Sequence, residues 1–189
     1  MNTPNKLTLL RVILVPVFLA FLMINQISYN YIFALIVFSV ASLTDMLDGH
    51  LARKNNQITT FGKFLDPLAD KVLVISAMIC FIELGLASSV AVVIIIAREF
   101  MVTSIRLVAL SSDGKVIAAS ILGKIKTVIS MVAVIGTLAL CALGQIITMP
   151  TWIDIPLISN VLMWGAAIIT VISGLEYLFA NKGSINTTK

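Results

Sequence analysis

The chain has 189 residues, 59% of them hydrophobic and 12% charged, against about 45–50% and about 25% in an average soluble domain. That excess of apolar side chains excludes a single small water-soluble core as the place that buries them. The net charge of +4 is scattered along apolar stretches and forms no Lys/Arg run, which fits an anionic membrane surface and speaks against nucleic acid.

Six segments, at roughly 7–25, 31–51, 65–86, 88–110, 120–144 and 157–180, reach the length of about 20 mostly apolar residues that a membrane helix needs. Backbone groups in lipid must be satisfied within their own segment, so each is expected to be a helix. The fold class is therefore all-α, an integral membrane bundle of six transmembrane helices forming one domain over 1–189. The first segment follows Lys6 and Arg11, but no small-residue cleavage site comes after Ile24, so it reads as a retained span. Cys80 and Cys141 lie inside apolar runs and read as small hydrophobes.

The turns at 26–30, 83–89 and 145–156 carry no Lys or Arg, whereas the opposite side carries Lys6, Arg53, Lys54, Lys63, Lys115, Lys182 and Lys189. Cations stay on the cytoplasmic side, so both termini and the 52–64 and 111–119 loops are expected there.

The second and third segments hold the chain's densest acidic cluster. Only nine carboxylates exist, and four fall between Asp45 and Asp70. Ionisable groups in membrane spans are expensive and are functional candidates by default. Asp45 and Asp48 are three residues apart, and Asp66 and Asp70 are four apart, so each pair shares a helix face. The intervening loop returns the second pair to the end where the first one lies. Four clustered carboxylates repel one another unless a cation sits among them, and an all-oxygen set suits hard ions such as Mg²⁺ or Mn²⁺, two of which could bridge a pyrophosphate. The competing reading makes these aspartates structural partners of Arg53, Lys63 and Lys71. Gly49 and Ala52 are small enough to let a nucleotide or another backbone come close, and Gly62 is placed to serve as a turn residue before the third span.

The run Asp-x2-Asp-Gly-x2-Ala-Arg-x8-Gly-x3-Asp-x3-Asp, from Asp45 to Asp70, resembles the signature of the CDP-alcohol phosphatidyltransferase family, with every position filled. The resemblance implies two metal ions, held by Asp45, Asp48, Asp66 and Asp70, with Asp70 also the general base. It implies a CDP-diacylglycerol site lined by Asp48, Gly49, Ala52, Arg53 and Gly62, release of CMP, a homodimer, and a multi-pass location in the bacterial cell membrane with the active site facing the cytoplasm. His50, at a variable position of the run, reads as a packing or interfacial residue.

The opening Pro4-Asn5-Lys6-Leu7-Thr8-Leu9-Leu10-Arg11, the fourth-span run Ala97 to Arg106, and Gly123-Lys124-Ile125-Lys126-Thr127 in the fifth resemble the bacterial members of that family that make phosphatidylglycerophosphate. By that resemblance Asn5, Thr8 and Arg11 approach the nucleotide end of CDP-diacylglycerol; interfacial anchoring is the alternative for the basic residues of the opening. Arg98 and Arg106 lie roughly 80° apart around a helix and can border one pocket, while Lys124 and Lys126 lie roughly 200° apart and cannot both enter it. Lys124 is slightly favoured. These four cations exceed the shared signature and point to an acceptor that carries its own phosphate. Glycerol 3-phosphate is the expected acceptor on the resemblance, although inositol phosphate satisfies the charge argument equally. Alternatives are snorkelling for Lys126 and Arg106 and a structural Arg98–Glu99 pair. A prenyltransferase would lack the Gly-x2-Ala-Arg insert, and a cation transporter would favour acids near mid-membrane.

Overall fold

The computed structural model describes residues 3–54, 60–113, 121–150 and 152–180, and side chains within 10–44, 71–105, 121–150 and 152–180. Among the described residues there are six α-helices and no strand: α1 (Thr3–Met23), α2 (Asn30–Lys54), α3 (Thr60–Glu83), α4 (Ser89–Asp113), α5 (Ile121–Ile146) and α6 (Ile155–Ala180). Each takes up one of the apolar runs. The third differs most from its apolar run, starting five residues earlier. Its first turns are polar, and hydropathy marks the lipid-compatible stretch, not the point where helical hydrogen bonding begins.

The helix ends have local causes. Gly85 sits at φ 70, where L side chains are strained. The Leu86 N–H donates to Phe81 O at 2.8 Å and the Gly85 N–H to Ile82 O at 3.1 Å. This pair of bonds closes the last carbonyls of α3 in a Schellman motif, and Leu86 and Phe81 are both buried beside it. At the start of α6, Asp154 Oδ1 accepts the Leu157 N–H at 3.0 Å, an N-cap bond to an otherwise orphaned donor. Pro156 falls in that first turn, where its missing N–H costs nothing. The Ser88 N–H, just before α4, donates to Asn160 Oδ1 of α6 at 2.9 Å, and Gln145 at the end of α5 donates to Asn30 at the start of α2 at 2.7 Å.

α1 packs against both α2 and α3, α2 also against α5, and α6 against α4 and α5; α3 in addition touches α4 and α5. The core alternates large and small side chains. Phe18 and Phe38 meet with ring centroids 5.5 Å apart, and Ala34, Ala41, Ala77, Ala91, Ala166 and Ala167 let the backbones approach, as in membrane bundles. The outer surface is apolar: Val93, Phe100, Val128, Val161 and Phe179 are each at least 60% exposed, on a scale that soluble monomers rarely show. Among the described residues α5 and α6 are each long and apolar enough to cross a bilayer, while Leu10–Met23 and Asn30–Thr44 are shorter apolar stretches.

Candidate functional site

Asp48 stands six residues before the end of α2, and Asp66 stands six residues after the start of α3. At a rise of 1.5 Å per residue both lie about 9 Å from the turn that joins the two helices. Asp45 and Asp70 lie about one turn further in on their helices. Both pairs thus sit near the ends of α2 and α3 that follow one another in the chain, and α1 packs against both of the helices that carry them. The side chains of Asn5, Thr8, Asp45, Asp48, Gly49, Ala52, Arg53, Gly62, Asp66, Asp70 and Arg106 lie outside the described set.

Arg11, on α1, is 1% exposed and is among the largest fully buried side chains. A guanidinium is costly to bury without compensating groups. The burial is not that of an interfacial anchor, whose charged end stays in contact with water.

Three described cations converge on Glu99 of α4. Its carboxylate pairs with Lys126 of α5, with Arg98 Nη1 at 3.6 Å and with Lys71 of α3 at 3.8 Å. Lys71 also donates to Thr103 Oγ1, and that hydroxyl donates to Glu99 O at 2.7 Å, one helical turn back. Beside this group lies a cavity of about 150 Å³, walled by α3, α4 and α5. Lys71, Glu99, Lys126, Thr127 and Ser130 provide its polar side, and Val74, Ile75, Met78, Ile95 and Met131 the apolar one. Asp70 occupies the helix position one turn before Val74, so the cavity begins directly beneath the second aspartate pair.

Two readings of the cations change. Lys126 is buried and lines the cavity, while Lys124 is exposed, so the slight preference for Lys124 is reversed and Lys126 does not snorkel. The reason is the rotation of α5, fixed by the buried stripe Lys126, Ser130, Ala133, Val134, Thr137, Leu138 and Cys141. Arg98 is 8% exposed and turns away from the cavity toward α6. Its Nη2 donates to Ser173 Oγ at 2.8 Å, and its stem fills the space a side chain at Gly174 would take, since a Cβ there would lie 3.0 Å from Arg98 Cγ. The Arg98–Glu99 pair expected as an alternative is present, as one arm of a larger cluster.

Lys71 and Ser130 were not singled out from the sequence as site residues. Lys71 follows Asp70 directly and invited pairing with the aspartates, although a lysine inside a span is itself a signal. Ser130, one turn after Lys126 on the same face, is 5% exposed, and among the described residues its hydroxyl has no hydrogen-bond partner. Cys80 and Cys141 are free thiols.

A family model described as CDP-alcohol phosphatidyltransferase matches residues 1–172. The chain is 39% identical over 198 residues to the CDP-diacylglycerol–glycerol-3-phosphate 3-phosphatidyltransferase of Bacillus subtilis, covering 99% of this chain and 98% of that protein. It is 38% identical to the protein of the same name from Haemophilus influenzae, over 97% of this chain and 95% of the relative. It is 36% identical to that of Rickettsia bellii, over 96% of each.

Proposed function

The chain belongs to the CDP-alcohol phosphatidyltransferase family, and from that premise we propose that it transfers the phosphatidyl group of CDP-diacylglycerol to glycerol 3-phosphate, giving phosphatidylglycerophosphate and CMP. The observation that carries this reading is the cavity beneath the Asp66–Asp70 end of α3, where Lys126 offers an ammonium to an anionic acceptor. The names of the full-length relatives favour glycerol 3-phosphate over inositol phosphate.

The donor set fits a pair of hard divalent cations: four carboxylates, in pairs one helical turn apart, at the same end of a helix hairpin. Asp45, Asp48, Asp66 and Asp70 would hold two Mg²⁺ or Mn²⁺ ions, whose chemistry is to neutralise charge on the pyrophosphate and on the departing CMP. Asn5, Thr8, Arg11, Gly49, Ala52, Arg53 and Gly62 would seat the cytidine and the phosphates, the glycine and alanine by leaving room and the arginines by charge. Asp70 would take the proton of the acceptor hydroxyl as its oxygen bonds to the β-phosphorus and the bond to CMP breaks. Lys126 and Arg106 would hold the acceptor phosphate. Arg98, turned toward Ser173, would serve by fixing Glu99.

All six helices are proposed to span the cell membrane, with both termini and the site facing the cytoplasm. The distribution of Lys and Arg supports this, as does the apolar outer surface. The homodimer rests on the family resemblance. The test is CMP release by the purified protein from CDP-diacylglycerol with glycerol 3-phosphate, inositol phosphate, serine or choline as acceptor. Glycerol 3-phosphate should be used best; preference for another acceptor would overturn the assignment.

A further inference from the structure

The glutamate cluster is richer than a structural ion pair requires. One cation suffices to compensate a partly buried carboxylate, and each further charge taken out of water adds a desolvation cost. Glu99 nevertheless meets cations from three helix positions, Lys71, Arg98 and Lys126. Arg98 lies behind Glu99, anchored on α6, whereas Lys71 and Lys126 approach from α3 and α5 and both line the cavity. The wall between them holds Ser130, whose buried hydroxyl has no hydrogen-bond partner among the described residues. Two ammoniums and an unused hydroxyl around one cavity are the donors that a tetrahedral oxyanion takes up. A phosphate monoester carries about −1.5 to −2 charges at pH 7, more than one lysine answers. Thr103 accepts a hydrogen bond from Lys71 and Glu99 pairs with both lysines, so each ammonium is held in place before any ligand arrives, which lowers the ordering cost of binding.

We propose that Lys71 and Ser130 complete the seat of the acceptor's phosphate, and that Glu99 is the positioning residue that holds Lys71 and Lys126 toward it. This rests on the acceptor reading above and adds two residues that it does not require. It makes Lys71 the link between the two halves of the reaction. The residue before it on α3 is the proposed base, so a phosphate held by Lys71 keeps the acceptor within reach of the aspartate that deprotonates it. The selected acceptor class is a small polyol carrying a phosphate monoester, and the bare polyol is discriminated against.

The experiment compares wild type, Lys71→Met, Lys71→Arg and Ser130→Ala, purified in detergent with divalent metal. The readouts are CMP release with glycerol 3-phosphate or with glycerol, and the thermal shift given by glycerol 3-phosphate and by CDP-diacylglycerol. Lys71→Met should raise the KM for glycerol 3-phosphate by about 10- to 150-fold and lose the thermal shift given by that ligand. It should keep the KM and the shift for CDP-diacylglycerol, and the preference for glycerol 3-phosphate over glycerol should fall. Lys71→Arg should recover most of the acceptor affinity, and Ser130→Ala should raise the same KM by a smaller factor. An unchanged acceptor KM in Lys71→Met overturns the proposal while leaving the transferase reading intact. So does loss of both thermal shifts without rescue by arginine, because Lys71 would then be structural. A wild-type enzyme that ignores glycerol 3-phosphate overturns both.

Discussion

At the end of the bundle where α2, α4 and α6 begin, the contacts between elements are uncharged amide bonds, Gln145 to Asn30 and the Ser88 N–H to Asn160, beside the Asp154 cap on the Leu157 N–H. Around Glu99 the contacts are charged: cations from α3, α4 and α5 meet one carboxylate beside a cavity that the hydroxyls of Thr127 and Ser130 also line. The two regions answer the same constraint in different ways. Polar atoms inside an apolar bundle must be satisfied. Where the purpose is to join helices, an amide meeting another amide or a backbone group suffices, although Asn30 Nδ2 has no hydrogen-bond partner among the described residues. Around Glu99 the donors also border a cavity, as the proposed acceptor site requires.

The sharpest way to break this comparison is to remove charge from the aspartate end. Asp48→Asn or Asp66→Asn should abolish CMP release while the protein inserts and purifies normally, and excess chelator should do the same to wild type. Full turnover in chelator would remove metal from the mechanism. For Asp70→Asn, loss of a general base should lower kcat by at least about 10²-fold, with binding of CDP-diacylglycerol better preserved than turnover. Near-normal kcat in this variant would transfer the proton to another group.

A smaller effect separates the two lysines of α5. Lys126→Ala should weaken glycerol 3-phosphate by about 10- to 150-fold, the worth of one charge-assisted hydrogen bond. Lys124→Ala, at an exposed position, should change acceptor kinetics by about twofold or less. Equal effects, or the reverse order, would contradict the rotation of α5. The smallest effect belongs to the neutral end. Asn160→Ala removes the acceptor of the Ser88 N–H and should cost about 0.6–1.7 kcal/mol, the range found for hydrogen bonds between membrane helices. Thermal unfolding in detergent would show it, with kcat and both KM values unchanged.

Much of this was legible in the residues. Six apolar runs announced six helices, because only a helix satisfies its backbone in lipid, and the spacing of Asp45, Asp48, Asp66 and Asp70 places both pairs near one turn. Periodicity also showed that Lys124 and Lys126 oppose each other. It did not show which one faces inward, because that depends on how α5 is rotated against α2 and α6, a matter of packing along the whole stripe from Lys126 to Cys141. The turning of Arg98 toward α6 was equally hidden: it depends on Gly174, 76 residues away in the chain, and a glycine in an apolar run gives no sign of what lies against it. Lys71 was obscured by its neighbour, since adjacency to Asp70 gave no sign of its contacts with Glu99 and Thr103 on another helix.

The cluster around Glu99 also bears on how the protein is made. Synthesis runs from the N-terminus, so Lys71 is made before Glu99, and Lys126 and the Ser173–Gly174 shelf for Arg98 come only with α5 and α6. A charge held at the centre of a lipid-embedded helix costs about 2.5–3.5 kcal/mol on insertion scales. On the proposed six-span topology, Lys71 and Arg98 can meet Glu99 as soon as the α3–α4 hairpin forms. The cavity at that stage still lacks the α5 wall and the second ammonium. The cavity is walled off only with α5, one of the two described helices long and apolar enough to cross a bilayer.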